Sequence, residues 1–218
     1  KINKMLYETS IQKANLIMTL RSMGITSDKV LSAIEYVPRE MFLPSNFHSY
    51  AYQNNPLPIG FDQTISQPFI VATMTEALSL QGNEIVLEIG TGSGYQASIL
   101  SLMTRRVYSI ERLKPLLVNA QACFKKLKLT NIISEEGDGF LGWPKLAPFD
   151  HIIITCAIKE LDGRLLDQIR YNGICIAPVG DLNSGQRLKK ITVKKNRSDD
   201  IWEDLGPVSF VPLISDKD

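Results

Sequence analysis

The sequence predicts an α/β protein built on a central, mostly parallel, seven-stranded sheet with helices on both faces. From about Gln81 onward, short apolar runs alternate with helical runs, and two further strand-like runs follow Gly180. Such alternation is typical of parallel sheets, whose connecting helices cover both faces. Upstream of Gln81 the pattern is helical and then irregular. We therefore divide one compact unit into an N-terminal helical region, residues 1–80, and a core, residues 81–218.

The N-terminal region is predicted to hold two helices and a loop. Apolar residues at helical spacing favour a helix over residues 3–23. Ser27 can cap a second helix, which must end near Val37 because Pro38 disfavours helical geometry in the residue before it. Residues 44–61 are rich in Pro, Asn and aromatic side chains, which predicts a loop.

The core is predicted to alternate strands and helices and to end in an antiparallel hairpin at the sheet edge. The alternating strands are expected at residues 85–89, 107–110, 131–134, 151–155 and 174–178. The helices between them are expected at residues 95–103, 115–127 and 164–169. A charged turn separates the two hairpin strands, which are expected at residues 188–193 and 208–213.

Composition argues against several classes of partner. Basic residues number 24 and acidic residues 23, for a net charge of +1. Because nucleic acids and anionic membranes are bound through clustered Lys and Arg, we expect neither as a partner. The 3 cysteines lie far apart and only 2 histidines are present, so we expect free thiols and no metal centre. No apolar run is long enough to cross a bilayer and no signal peptide is visible, which favours a cytoplasmic protein, by default a monomer.

A glycine-rich loop is the most informative segment. The apolar run 85–89 leads into Gly90, Gly92 and Gly94, and a helical run follows. Glycines allow positive φ and close approach of a ligand, and the following helix offers free amides at the carboxyl edge of the sheet. This predicts a nucleotide-like ligand. The G-x-G-x-G spacing, with Tyr95 next, differs from the G-x-G-x-x-G of dinucleotide sites and disfavours NAD.

Three acidic residues narrow the choice of ligand. Glu88 precedes the loop and suits a ligand with a cationic amino group, such as S-adenosylmethionine. Glu111, after the next strand, can accept both ribose hydroxyls, which fits NAD equally well. Asp138, after the third strand, can accept a hydrogen bond from an adenine amino group. Each alone could be a solvated turn carboxylate. Together they favour the methyl donor.

The segment before the sheet carries polar residues at the start of a helical run. On composition alone, the better interpretation of Ser66 is a helix N-cap. A hydrolase triad lacks support, because no His–acid pair is evident around this serine.

A set of segments resembles the protein-L-isoaspartate O-methyltransferase family, in the family's order over nearly the whole chain. The most specific is Gln63-Thr64-Ile65-Ser66, since many methyltransferases share the glycine loop. The segments are residues 58–67, 87–96, 110–112, 137–139, 147–150, 177–180 and 210–213.

The resemblance implies a Rossmann-like methyltransferase fold, with S-adenosylmethionine as cofactor. It implies methyl transfer to the α-carboxylate of L-isoaspartyl residues in damaged proteins and peptides, a repair activity. Ser66 matches the catalytic serine, and the substrate-binding positions matched are Gln63, Thr64, Ser66 and Val211. The cofactor-binding positions matched are Glu88, Gly90, Thr91, Gly92, Ser93, Glu111, Arg112, Asp138 and Gly139.

The implied chemistry needs few catalytic groups, because an α-carboxylate with a pKa of about 3.5 is already ionised at neutral pH. Ser66 would only orient it. The chain departs from the family where Lys159 and Asp162 replace two prolines. We expect a looser loop there, which would affect substrate grip or turnover more than cofactor binding. Methyl transfer to a different carboxylate, and cofactor binding without turnover, stay open as alternatives.

Overall fold

The computed structural model describes residues 2–161, 163–181 and 183–214, with residues 2–7 described by their backbone alone. Two helices open the chain, α1 (Ile2–Ser22) and α2 (Asp28–Tyr36). As predicted, the Ser27 hydroxyl caps α2, accepting from the Val30 amide at 3.3 Å. The helix ends one residue before Val37, which precedes the proline.

The segment predicted as a loop contains more order than expected. A first 3-10 turn, Arg39–Phe42, precedes that segment. A second one, Ser45–Tyr50, lies within it and leads into β1 (Leu57–Gly60). This strand pairs antiparallel with β2 (Gln63–Ile65) to form a separate two-stranded sheet. Helix α3 (Pro68–Ala77) follows directly.

The core alternates strands and helices as predicted. Its elements are β3 (Ile85–Ile89), α4 (Tyr95–Ser101), β4 (Arg106–Glu111), α5 (Lys114–Lys126), β5 (Ile132–Glu136), β6 (Phe149–Ile154), α6 (Gly163–Leu166), β7 (Ile169–Asp181), β8 (Gly185–Thr192) and β9 (Ile201–Val208). The helix expected over residues 164–169 is shorter, because Ile169 already begins β7. The strand expected over residues 208–213 was wrong: the edge strand β9 ends at Val208, and the residues after it leave the sheet.

The seven-stranded sheet has the order β5-β4-β3-β6-β7-β8-β9. The pairs from β5 through β7 are parallel, whereas β7–β8 and β8–β9 are antiparallel. This confirms the mostly parallel sheet with an antiparallel edge. The chain runs outward from β3 through β4 to β5 and then returns to β6 on the other side of β3. Ligands of open α/β sheets bind at such a reversal point, at the carboxyl ends of the strands.

Alternate residues of the central strands face opposite layers of the core. Val86 and Ile153 pack with Met74, Leu100 and Phe124 from α3, α4 and α5. The opposite layer holds Leu87, Ile152 and Cys175 with Leu165 of α6. Burial on both faces explains why the central strands are continuously apolar. Across the described part of the chain, every helix is too short or too polar to span a membrane.

Candidate active site

The glycine loop joins the carboxyl end of β3 to α4. All three glycines have positive φ, +96° at Gly90, +52° at Gly92 and +87° at Gly94. A Cβ on Gly90 would lie 2.6 Å from Thr155 Oγ1, and one on Gly94 would lie 2.7 Å from a ring carbon of Phe124. A Cβ on Gly92 would meet nothing closer than 3.9 Å. The outer two glycines therefore permit close packing, while the middle one faces open space.

That space opens into a cleft at the carboxyl edge of the sheet, which is where ligands of such sheets bind. We call it the first cleft. Its walls come from the glycine loop, the ends of β4 and β5, the β2 segment and the C-terminal segment. Its lining includes most of the predicted cofactor residues, namely Gly90, Thr91, Gly92, Ser93, Glu111, Arg112 and Gly139.

Glu111 is held in this wall by two backbone amides. Its Oε2 accepts from the Gly92 N–H and its Oε1 from the Leu113 N–H, each at 2.8 Å. The residue is only 7% exposed. Because a carboxylate offers about four acceptor sites, it retains capacity for two further hydrogen bonds. The side chain is thus fixed in place and still able to accept from a ligand.

Glu88 lies beneath the loop and does not line the first cleft. Ser109 donates to its Oε2, and the Ser109 hydroxyl also lies 2.6 Å from that of Thr91. Burial, with repulsion from Glu111 as a smaller cause, raises the pKa of Glu88 to about 8. Its other oxygen, Oε1, is buried with no hydrogen-bond partner among the described residues. At neutral pH the carboxyl group is therefore mostly protonated. It contacts the Thr91 hydroxyl indirectly, through the Ser109 hydroxyl.

Asp138 also lies away from the first cleft. Its Oδ1 accepts from the Phe140 amide at 2.9 Å and caps a 3-10 turn, Gly139–Leu141. The residue lines an adjoining cavity that shares Ile110 and Gly137 with the first cleft. A ligand reaches Asp138 only by extending into that cavity.

A second cleft opens beside the first and is lined by residues such as Pro56, Gln67, Ile70 and Phe210. Four residues line both clefts: Thr64, Ser66, Thr155 and Val211. We call this shared wall the junction. Three of the four were predicted as substrate residues, and Gln63 lines the first cleft beside them.

The junction contains hydrogen-bond donors without a partner among the described residues, and the Ser66 hydroxyl and the Val211 N–H are two of them. No described residue forms a hydrogen bond with the Ser66 hydroxyl, and α3 begins beyond it with Gln67 as N-cap, so the helix-cap interpretation of Ser66 was wrong. The Val211 carbonyl accepts from Ala157 N–H at 2.8 Å, while the Val211 N–H has no partner within the described ranges. Both donors are free to serve a ligand.

Thr155 is the junction residue that sequence reasoning missed. It follows β6, and its hydroxyl contacts the Gly90 carbonyl at 2.5 Å and the Ile89 carbonyl at 3.0 Å. Its position after the strand adjacent to β3, at the reversal point of the sheet, is the signal that could have found it. The side chain ties the glycine loop to the junction.

The segment after Thr155 is well held despite its departure from the family pattern. Ala157 bonds on both sides with the C-terminal segment, and Ile158 bonds with the end of β7 through Pro178 and Gly180. Lys159 is exposed, and Asp162 lies outside the described residues. These hydrogen bonds hold Ala157 and Ile158, and a looser loop at the two altered positions stays a prediction.

Cys156 lines the first cleft but is not an activated nucleophile. Burial raises the pKa of its thiol strongly, and the nearby Glu111 and Glu88 raise it further. Reactive cysteines have lowered pKa values. No group of metal-ligating side chains occurs in the described part of the chain.

The strand order, the glycine loop at the reversal point and the antiparallel edge define a Rossmann-like methyltransferase. A solved structure named protein-L-isoaspartate O-methyltransferase superposes with a TM-score of 0.82 at 28% identity, covering 92% of this chain. This chain spans 65% of that one, less than two thirds. A putative enzyme of the same name from Plasmodium falciparum, in complex with S-adenosyl-L-homocysteine, gives a TM-score of 0.79 at 24% identity, covering 92% of this chain and 97% of that one.

Sequence comparison identifies the family. The model of the protein-L-isoaspartate(D-aspartate) O-methyltransferase family matches residues 11–218, and the chain belongs to this family. A protein-L-isoaspartate O-methyltransferase of Paramagnetospirillum magneticum is 50% identical, covering 91% of this chain and 92% of the relative. One from Dictyoglomus thermophilum is 47% identical, covering 93% and 90% respectively.

Proposed function

We propose that this chain transfers the methyl group of S-adenosylmethionine to the α-carboxylate of L-isoaspartyl residues in damaged proteins and peptides. The observation that carries the proposal is the junction. There the cleft lined by the cofactor residues meets a second cleft, and both clefts are lined by Ser66 and Val211, whose hydroxyl and N–H have no hydrogen-bond partner among the described residues. Membership of the family supports the same reaction.

The first cleft fits the cofactor. Glu111 retains acceptor capacity for two ribose hydroxyls, and Gly92 leaves room for a ligand against the loop. Gly90, Thr91, Ser93, Arg112 and Gly139 line the same wall. When bound, S-adenosylmethionine supplies an electrophilic methyl group on a sulfonium.

Two of the acidic residues take more restricted roles. Glu88 acts indirectly, by supporting Thr91 through Ser109, because its carboxyl does not reach the cleft. A contact between Asp138 and the adenine requires the base to extend into the adjoining cavity. Unlike Glu111, neither residue contacts a ligand from the wall of the first cleft.

The substrate carboxylate needs orientation rather than deprotonation. With a pKa of about 3.5, it is ionised at neutral pH, and so no general base is required. The Ser66 hydroxyl and the Val211 N–H donate to its oxygens, while Gln63 and Thr64 complete the adjacent wall. Alignment of the reacting atoms in a water-poor cleft can lower the barrier by up to about 7–11 kcal/mol. Because positioning is sufficient, the site needs few catalytic side chains.

Most of the substrate residues and the cofactor residues lie in different regions of the chain. The substrate residues Gln63 to Ser66 precede the boundary near Gln81, whereas the cofactor residues and the substrate residue Val211 follow it. The three cysteines are free, which is typical of a reducing compartment and favours the cytoplasm. We treat the enzyme as a monomer, which sedimentation at micromolar concentration would test.

The proposal is tested with a pair of peptides that differ only in one isoaspartyl or aspartyl residue. Transfer of radiolabelled methyl to the isoaspartyl peptide alone, with the product identified as an α-carboxyl ester, is the expected result. Equal labelling of both peptides would show a less specific carboxylate methyltransferase. Binding of S-adenosylhomocysteine without any ester product would show a binding protein.

A further inference from the structure

We propose that Arg39 is a positioning residue of this enzyme, which holds the Ser66 peptide so that the serine hydroxyl faces the junction. The inference rests on the proposed function, because Ser66 is the group through which Arg39 acts. Arg39 lies in the first 3-10 turn, 27 positions before Ser66 in the chain, and it is 0% exposed.

The guanidinium of Arg39 ties together the backbone on the substrate side of the site. Its Nη1 donates to the Ala51 carbonyl at 2.6 Å, and its Nη2 donates to the Asn55 and Ser66 carbonyls at 3.1 and 3.0 Å. Asn55 lies next to Pro56, which lines the second cleft. One planar cation therefore sets the relative positions of the chain before β1 and the chain after β2.

A second contact connects this cation with the cofactor side. The guanidinium carbon lies 5.7 Å from the centre of the Tyr95 ring, and Tyr95 is the first residue of α4, directly after the glycine loop. Tyr95 lines the first cleft. Arg39 thus contacts residues from both halves of the site while lining neither cleft itself.

The burial of this cation is costly, and no carboxylate among the described residues forms an ion pair with it. The contacts of Arg39 within the described chain are carbonyls and aromatic rings, and its Nε is buried without a partner. Burial lowers the pKa of Arg39 to about 10, so it remains charged at neutral pH. A well-packed apolar residue commonly stabilises a fold at least as well as a buried charge. The Arg39 guanidinium bonds three carbonyls at once. A role in positioning these segments therefore explains the arginine better than a contribution to stability does.

Lysine is a poor substitute because its one nitrogen cannot replace both Nη1, which bonds the Ala51 carbonyl, and Nη2, which bonds the Asn55 and Ser66 carbonyls. Arg39→Lys is therefore expected to lower kcat for an isoaspartyl peptide by about 10- to 100-fold. The Kd for S-adenosylhomocysteine should stay within about threefold of the wild type. Arg21→Lys, at an exposed arginine of α1, is the matched control and should change neither value.

A double-mutant cycle with Ser66→Ala separates positioning from general structural damage. If Arg39 acts through the serine, Arg39→Lys should change kcat by less than about threefold in the Ser66→Ala background. An equal fold loss in both backgrounds would overturn the proposal, as would a parallel loss of S-adenosylhomocysteine affinity.

A second variant keeps the test decisive if Arg39→Lys does not fold. Tyr95→Leu removes the ring that the guanidinium faces while leaving its three hydrogen bonds in place, and it should show the same coupling to Ser66→Ala with a smaller loss. Failure of both variants to fold would identify the cluster as structural and overturn the proposal. A wild-type enzyme that fails to methylate the isoaspartyl peptide would instead refute the proposed function.

Discussion

Glu111 provides the sharpest test of the cofactor site. Its carboxylate accepts from two backbone amides at 2.8 Å and is proposed to accept from both ribose hydroxyls. In Glu111→Gln one acceptor oxygen remains, and an NH₂ group replaces the other. That NH₂ group must face either a backbone N–H or a ribose hydroxyl. A hydrogen bond to a charged group contributes about 1.5–3 kcal/mol, so cofactor affinity should fall by about 10- to 150-fold.

Isothermal titration with S-adenosylhomocysteine, together with the KM for S-adenosylmethionine, measures this loss. The kcat at saturating cofactor should change much less than KM, because the ribose does not react. Glu35→Gln, at an exposed position of α2, removes the same charge far from the cleft and is the control. An affinity of Glu111→Gln within twofold of the wild type, with the melting temperature unchanged, would refute the assigned role.

Three further predictions follow from the same geometry. Gly94→Ala should lower the free energy of unfolding by about 2–4 kcal/mol, since its Cβ meets Phe124 in a left-handed backbone. Gly92→Ala should lower the free energy of unfolding by only about 1 kcal/mol and should weaken cofactor binding. Equal destabilisation by the two substitutions would contradict this reasoning. Glu88→Gln should gain about 2 kcal/mol of stability relative to the wild type as the pH rises from 6 to 8, measured by urea titrations. The Glu88 carboxyl has a pKa of about 8 in the folded protein and keeps its proton to higher pH than in the unfolded chain, so wild-type stability falls over that range. A difference in stability between variant and wild type that does not change with pH would exclude this. Ser66→Ala should lower kcat/KM for an isoaspartyl peptide by about 10- to 150-fold without changing S-adenosylhomocysteine affinity, and unchanged methylation would disprove the orienting role.

The core of the fold could be predicted because its central strands are buried on both faces and are therefore short apolar runs, separated by longer helical runs. The position of the edge strand could not be predicted. Residues 208–213 have the apolar pattern of a strand, yet Phe210 is buried with its carbonyl and amide both bonded to the Gln186 side chain. The true edge strand has an exposed pair, Ile201 and Trp202, followed by charged residues, so its pattern indicated a turn. Apolar residues that cover a sheet and line a cleft cannot be told from a strand by period alone.

The small β1–β2 sheet escaped prediction for a different reason. Its two-residue turn, Phe61 and Asp62, has φ values of +53° and +55°. Two consecutive left-handed residues are typical of tight hairpin turns, but those turns usually carry Asn or Gly. Pro58 within β1 further disguises the strand. The pairing places Gln63 and Thr64 beside the first cleft, and so an atypical turn determines where the substrate segment lies.

The wrong helix-cap interpretation of Ser66 shows how long-range contacts create the site. A serine two residues before a helical proline is a reasonable cap on local grounds. In the structure, Asn54 supplies the cap instead: its Oδ1 accepts from the Phe69 amide at 2.9 Å, and its carbonyl accepts from Gln67 Nε2 at 2.9 Å. Arg39 holds the Ser66 carbonyl from the other side. Because distant residues satisfy the start of α3, the serine hydroxyl is released from a structural role and is free to act at the junction.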